Sequence, residues 1–385
     1  MTVPSRGTLP LLLCLCRPED HWKLIPGYIE AFSRQGYEVF CVGRGVALDT
    51  SIEELIRTCP RPPVAVLHFE SALPLLPNGL SHCDVPTVCF HPDTYAFTDR
   101  RLRWSFLFDH VAVFHPGFDT FFQESGHPGA FLLPHAARRE FFDLPELDRV
   151  FEIGWVGQLD GPIYRRRARL LPLLAQNFRM NDWRKRLSLE EVAAVYRSSR
   201  IVVNIGRDDF PQDANLRVFE VLASGALLLT SLPTELTHLG FQEGVHFAGY
   251  SSDAEALSLV RSFLHKEADR SRIANAARAK VLQEHTYDQR VISLLNRLEE
   301  SSGQKLAPAR SWSQPRARLM ALDFFVSHKV IHCALRQYLS LFGRNLYATW
   351  EGTGLLARAF ARMVARYICY RHLGDAQPPV ESATK

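Results

Sequence analysis

The chain has 385 residues, enough for two ordinary domains and an extension, and is 46% hydrophobic and 22% charged. That composition belongs to a globular protein with large cores and excludes a disordered or fibrous chain. A net charge of +4 is too small to imply a nucleic-acid partner; it suits an anionic ligand such as a nucleoside diphosphate, or an anionic membrane surface.

Leu9 to Cys16 is a short apolar run followed by Arg17, Glu19 and Asp20. It lacks a small-x-small cleavage pattern and reads as the first core strand rather than a signal peptide. Trp22 to Gln35 is periodic as a helix ending at Gly36, and Tyr37 to Val42 is the second strand. Gly43-Arg44-Gly45 does not follow the first strand and is not G-x-G-x-x-G, which argues against a dinucleotide-dependent dehydrogenase. A helix over 51–58 with Ser51 as N-cap follows. Strands are expected at Val64–His68, Thr87–Phe90, Val111–Phe114 and Phe131–Leu133, with helices over 101–108 and 118–124. Polar residues recur at the strand ends: Asp20 and His21, Glu70, His91 and Asp93, His115, His135. In a doubly wound domain those ends face one cleft, so at least one of the group is expected to work in the site, with His91, Asp93 and His21 as candidates for general acid–base chemistry.

Glu146 to Arg149 is a charged connector, and Val150 to Val156 begins a second α/β series. Gly157 to Gly161 is a glycine-containing loop before a helix that opens with Pro162 and carries Arg165, Arg166, Arg167 and Arg169. Cations at a helix N-terminus oppose its dipole unless an anion shares the site. Loop, helix end and arginine together make a diphosphate-binding arrangement. Leu187 to Ser198 is an amphipathic helix with Ser188 and Glu191 spaced as a capping box. The central βαβ unit runs from Ile201 to Thr230: a strand to Ile205, a polar loop, a helix opened by Asn215 and stopped at Ser224-Gly225, and a returning strand. Its polar set, Asn204, Arg207, Asn215, Arg217 and Glu220, gathers where strand passes to helix. A carboxylate there can accept both hydroxyls of a ribose, and arginine can hold phosphate oxygens. The plain alternative is a surface Arg217–Glu220 helix pair. Helices over 233–239, 253–264, 266–284 and 288–299 and a strand over 246–250 complete this half.

Asn215-x-Arg217-x-Phe219-Glu220, then Ala223-Ser224-Gly225 and a strand ending in Thr230, resembles the donor-binding segment of GT-B glycosyltransferases of the CgeB-like, glycosyl transferases group 1 type. The resemblance covers about Tyr196 to Leu295, including His285-Thr286-Tyr287 and Arg290, and is looser over Phe151 to Gln176. It implies two Rossmann-like doubly wound α/β domains facing a central cleft: 1–148 on the acceptor side and 149–300 for the nucleotide-sugar. Glu220 and Asn215 would then hold the nucleoside, and Gly157, Arg167, Asn204, Arg207 and Arg217 would line the donor site. The implied reaction is transfer of a sugar from a nucleotide-diphosphate donor to a glycan, lipid-linked or protein hydroxyl, with retention of anomeric configuration and with neither metal nor other cofactor. Retaining members often carry an earlier glutamate in an E-x7-E spacing; here that position is Gln212, so the donor sugar stays open. A second reading follows from that departure: a catalytically reduced GT-B-fold binding or scaffold protein acting through its tail.

The eight cysteines form no CxxC and read as small buried hydrophobes of a reducing, cytoplasmic compartment. Ser301 to Pro315 (linker, 301–316) is rich in Ser and Pro. A helical extension over 317–372 is expected as two segments, about 317–342 and 354–371. Arg358, Arg362 and Arg366 stripe the second, which fits peripheral membrane contact or a charged outer face. Residues 373–385 form a tail expected to be disordered.

Overall fold

The structure is a computed structural model, and it describes residues 9–16, 24–42, 45–69, 74–145, 147–341, 349–358 and 361. The chain divides into two compact units, 1–132 with 295–385, and 133–294. The expected boundary at 148/149 thus moves to the residue after the last strand of the first sheet.

The first unit alternates strands and helices: β1 (Leu11–Cys14), α1 (Leu24–Arg34), β2 (Glu38–Cys41), α2 (Ile52–Thr58), β3 (Ala65–Phe69), β4 (Thr87–His91), α3 (Thr98–Ser105), β5 (His110–Val113), α4 (Phe118–Glu124) and β6 (Ala130–Leu132). All six strands pair in parallel in the order β2-β1-β3-β4-β5-β6. The chain reverses its direction of travel between β1 and β3, a topological switch point. The central strands are continuous apolar runs because helices cover both their faces. Ser51 caps α2 as expected, its Oγ accepting from Glu54 N at 3.1 Å.

The second unit contains β7 (Phe151–Gly154), α5 (Arg165–Asn177), α6 (Leu189–Arg197), β8 (Ser199–Asn204), α7 (Leu216–Ala223), β9 (Leu227–Ser231), β10 (Ala248–Tyr250), α8 (Asp253–His265) and α9 (Glu267–Glu284). The helix α10 (Tyr287–Glu300) follows. The parallel sheet runs β10-β9-β8-β7. Ile153 also bridges in parallel to Met180 on the far side of β7, so the chain leaves β7 in one direction and returns in the other. The switch point therefore lies between β7 and β8, where Gly157 and Asn204 sit. Helices α5 and α8 pack one face, with Leu170, Leu174, Ala256 and Val260 buried. Helices α6 and α7 pack the other, with Val192, Tyr196, Phe219 and Val221. The capping box at Ser188 and Glu191 is present on both sides, at 3.3 and 2.8 Å. Arg290 fixes the start of this unit: its guanidinium donates to the carbonyls of Pro134 (2.7 Å), Glu284 (2.9 Å) and His135 (3.1 Å).

The segment expected as a linker is packed onto the first unit. The Asp109 carboxylate accepts from the backbone N–H groups of Leu306 and Ala307 at 2.9 and 3.1 Å, and Ala309 is fully buried. The single helix expected over 317–342 is two, α11 (Gln314–Ser327) and α12 (Ile331–Leu341), broken where Lys329 takes a positive φ of 62°. Neither is an appendage. Leu322, Phe324 and Phe325 of α11 enter the first unit's core, with Phe324 edge-on to Trp104 at 5.2 Å. Residues 349–358 are helical; Arg362, Arg366 and the terminal tail lie outside the described residues. No helix among the described residues is long and apolar enough to cross a membrane.

Candidate functional site

The carboxyl ends of β7 and β8 carry the donor candidates. Asn204 closes β8, but its Nδ2 donates to Thr230 Oγ1 at 3.0 Å and its carbonyl accepts from the Tyr250 hydroxyl at 3.0 Å. It ties β8 to β9 and β10 and shapes the floor rather than presenting a free amide. The loop after it folds tightly: a Cβ on Gly206 would meet the Pro211 carbonyl oxygen at 2.5 Å. Its return is held by Glu235, whose carboxylate accepts from Ala214 N at 3.0 Å while its own N–H donates to Gln212 O at 2.8 Å. Glu235 carried no sequence signal, because its partners lie more than 20 residues away.

Helix α7 begins where the sequence places it. Asn215 is the N-cap, with its Oδ1 accepting from Arg217 N at 3.1 Å, and Gly225 takes the left-handed conformation (φ 73°) beyond the helix end. The Arg217 side chain turns back over the first loop and donates from Nη1 to Val156 O at 3.2 Å. Gly157 is what admits it, since a Cβ there would overlap the Arg217 guanidinium. Arg167 reaches the same loop from α5. Only 1% exposed, it donates from Nε to Ile205 O (3.0 Å) and from Nη1 to Gln158 O (2.9 Å). Its guanidinium stacks on Tyr164 at 4.3 Å. Burial, and next the Arg217 charge, push the Arg167 pKa down to about 9. Among the described residues neither guanidinium has a carboxylate at ion-pair distance; their hydrogen-bond acceptors are backbone carbonyls and Asn215.

Glu220 lies one turn further along α7 and is 1% exposed, so the plain surface pair with Arg217 is not what the fold builds. Burial, followed by the Glu220 charge, holds the Tyr196 phenol well above its usual range, while Arg217 and Arg167 act oppositely. The four side chains therefore share one electrostatic neighbourhood. Tyr164 and Tyr196 were not singled out from sequence; an aromatic at a helix start and one on an amphipathic face look like ordinary core residues.

Two expectations need correction. The anion at the α5 N-terminus is a protein group: the Asp208 carboxylate accepts from Arg165 N at 2.8 Å and Arg166 N at 3.4 Å. Asp253 pairs with Arg169 at 2.5 Å. Asp208 and Asp253 thus counter Arg165, Arg166 and Arg169 within the chain, Arg167 excepted, and that helix end is already capped. Arg207, also expected in the site, is engaged by both oxygens of Asp209 at 2.9 and 2.8 Å, so its charge is largely spent.

In the first unit His91 ends β4 but points inward. It is fully buried, shares a hydrogen bond with Ser105 Oγ at 2.9 Å and lies edge-on to Trp104 at 4.5 Å. A core histidine so placed cannot meet a solvent-borne acceptor. His115 is likewise buried, with its Nε2 at 3.0 Å from Pro92 O. Asp93, directly beyond β4, is half-buried, with the Tyr95 hydroxyl donating to it at 3.4 Å. His21 lies outside the described residues, as do Asp20 and Glu70.

Two successive Rossmann-like units, each a parallel sheet with helices on its faces, give the chain the GT-B fold. Residues 149–296 match the model of a family described as glycosyl transferase-like. Solved structures share the fold. A sucrose-phosphate synthase from Thermosynechococcus elongatus is similar with a TM-score of 0.51 at 13% identity, over 76% of this chain and 100% of that one. Anabaena HepE in complex with UDP and glucose has a TM-score of 0.52 at 10% identity, over 76% and 100%. A glycosyltransferase from Rickettsia africae has 0.51 at 11% identity, over 77% and 100%. No curated protein matches the chain by sequence.

Proposed function

We propose that the protein is a glycosyltransferase that takes a sugar from a nucleoside-diphosphate donor bound at the β7/β8 edge of its second unit. The observation that carries this reading is the pair of buried or half-buried guanidiniums, Arg167 and Arg217, held in fixed positions by backbone carbonyls and, among the described residues, by no carboxylate. Two cations kept together in low dielectric repel each other, and an anion between them relieves that repulsion. The N-terminus of α7 adds its dipole to the same place. Glu220, one turn in, takes the ribose hydroxyls.

In the reaction the acceptor hydroxyl attacks the anomeric carbon, the bond from that carbon to the diphosphate oxygen breaks, the hydroxyl proton passes to the departing diphosphate oxygen, and the diphosphate leaves carrying the remaining negative charge. Arg167, Arg217 and the helix end stabilise that charge as it develops, which is where preorganised electrostatics lowers a barrier most. These fixed cations do the task a divalent ion does in other transferases, so turnover is expected to persist in a chelator. Asp93 is the remaining described candidate to orient the acceptor. The family resemblance favours retention of anomeric configuration, and product stereochemistry by NMR tests it.

Binding is tested by titration calorimetry with uridine diphosphate first, since the HepE complex contains UDP, and then with the other nucleoside diphosphates. One base is expected to bind, with affinity at least about tenfold weaker in Glu220→Ala and in Arg217→Ala, a change of roughly 1.4 kcal/mol each. If folded protein binds none of them, the donor-site reading fails.

A further inference from the structure

Three cysteines of the first unit converge at the carboxyl ends of β1 and β2. Cys14 and Cys41 are register partners across the parallel pair. Cys16 follows two residues after Cys14, and Val42 N–H donates to its carbonyl at 3.0 Å, which keeps the chain beyond β1 against β2. The sulfurs of Cys14 and Cys16 lie 3.2 Å apart, those of Cys16 and Cys41 3.8 Å, and all three lie within 4.8 Å of one another. Cys14 and Cys16 are fully buried, whereas Cys41 is half-buried. The remaining described cysteines are scattered: Cys59, Cys83, Cys89 and Cys333 do not join this group.

We propose that Cys14, Cys16 and Cys41 form a three-thiolate site for a thiophilic d10 cation, with Zn2+ as its probe. The spacing is the first reason. Zinc–thiolate bonds of about 2.3 Å in tetrahedral geometry set sulfur–sulfur edges near 3.8 Å. The Cys16–Cys41 distance has that value, and the Cys14–Cys16 pair reaches it by a side-chain opening of about half an ångström. The second is ligand chemistry: three soft sulfurs and no hard oxygen in the group select zinc or cuprous ion over magnesium or calcium. The third is charge. Three thiolates and Zn2+ carry a net −1, less than the −2 left by a monovalent ion, and burial favours the smaller charge. Half-exposed Cys41 provides the way in, and three protein ligands leave one coordination position for solvent or a further ligand. Binding exchanges three S–H bonds for three Zn–S bonds and releases the thiol protons to solvent, so affinity rises with pH.

The test uses the full chain, reduced and stripped of metal with a chelator. Titration with Zn2+ against a chromophoric competitor is expected to give one tight site per chain. Co2+ in its place should give a sulfur-to-cobalt charge-transfer band, a readout that needs no variant. Cys41→Ser, checked for folding by circular dichroism, should lose both, and Cys59→Ser, outside the group, should keep both. Absence of the charge-transfer band in wild type would overturn the proposal. So would unchanged zinc binding in folded Cys41→Ser, or recovery of Cys14 and Cys16 as a disulfide under conditions where zinc does not bind.

Discussion

A side-chain carbon at position 157 would overlap the Arg217 guanidinium and lie 2.8 Å from the Trp155 ring. The glycine thus serves the site by making room for a cation, and the alanine variant reports on that cation. Gly157→Ala is expected to displace Arg217 from Val156 O and weaken nucleoside-diphosphate binding about tenfold, roughly 1.4 kcal/mol. Thermal stability should also fall, by about 1–3 kcal/mol, because the added carbon crowds the buried Trp155 ring. Calorimetry on the variant checks this, and undiminished binding would show that Arg217 does not contact the donor. Arg167 reaches its position differently, through two carbonyls and an aromatic face. Such a planar fork is a geometry that lysine cannot reproduce.

Helix α5 shows how a poor helix start is rescued. Arginines at its first three positions oppose the helix dipole, and no residue of its own caps it. Asp208, from the loop after β8, supplies both the hydrogen-bond acceptors and the counter-charge. Asp208→Ala is expected to cost about 1–2 kcal/mol, the usual magnitude for losing a cap. Asp208→Asn should cost less, because it can still accept a hydrogen bond while losing the charge. Urea unfolding of the two variants separates the contributions; equal losses would mean the charge matters more than the bond. The same residue joins α5 to the loop ahead of α7, so nucleotide affinity is expected to fall with it.

Across the whole molecule, buried histidines make stability depend on pH. Burial pushes His110 and His127 of the first unit down to about 4. Burial, helped by the Arg290 charge, pushes His285 of the second unit down to about 3. His285 accepts at Nδ1 from Arg290 at 2.5 Å, which requires the neutral ring. Unfolded histidine protonates near pH 6.5, so below that pH the unfolded chain binds protons that the folded chain refuses. Stability is therefore full above about pH 6.5 and falls as pH drops towards 4, by as much as about 1.4 kcal/mol per pH unit for each histidine. Urea unfolding between pH 7.5 and 4.5 should show this decline. His285→Asn, which keeps an acceptor for Arg290, should reduce the slope for the second unit by about one proton. An unaltered slope would mean that His285 protonates in the folded state.

Local chemistry carried much of this into the sequence. The caps at Ser51, Ser188 and Asn215 and the stop at Gly225 were legible because each is a bond or a dihedral within four residues. The apolar runs named the parallel strands, because a strand covered on both faces has no polar side to show. The motif around Glu220 lies within the residues that match the glycosyl transferase-like family model. What the sequence could not carry was decided over distance. Asp208 caps a helix more than 40 residues before it, so the arginine cluster looked like an empty anion site. His91 stands at a strand end like Asp93, yet Trp104 and Ser105 from the next helix draw it inward. The Ser- and Pro-rich stretch after α10 resembled a linker until Asp109 supplied acceptors for its backbone. The division is physical: periodicity and capping act within a turn or two, whereas charge neutralisation, side-chain direction and the gathering of Cys14, Cys16 and Cys41 arise only when separate strands and helices are packed together.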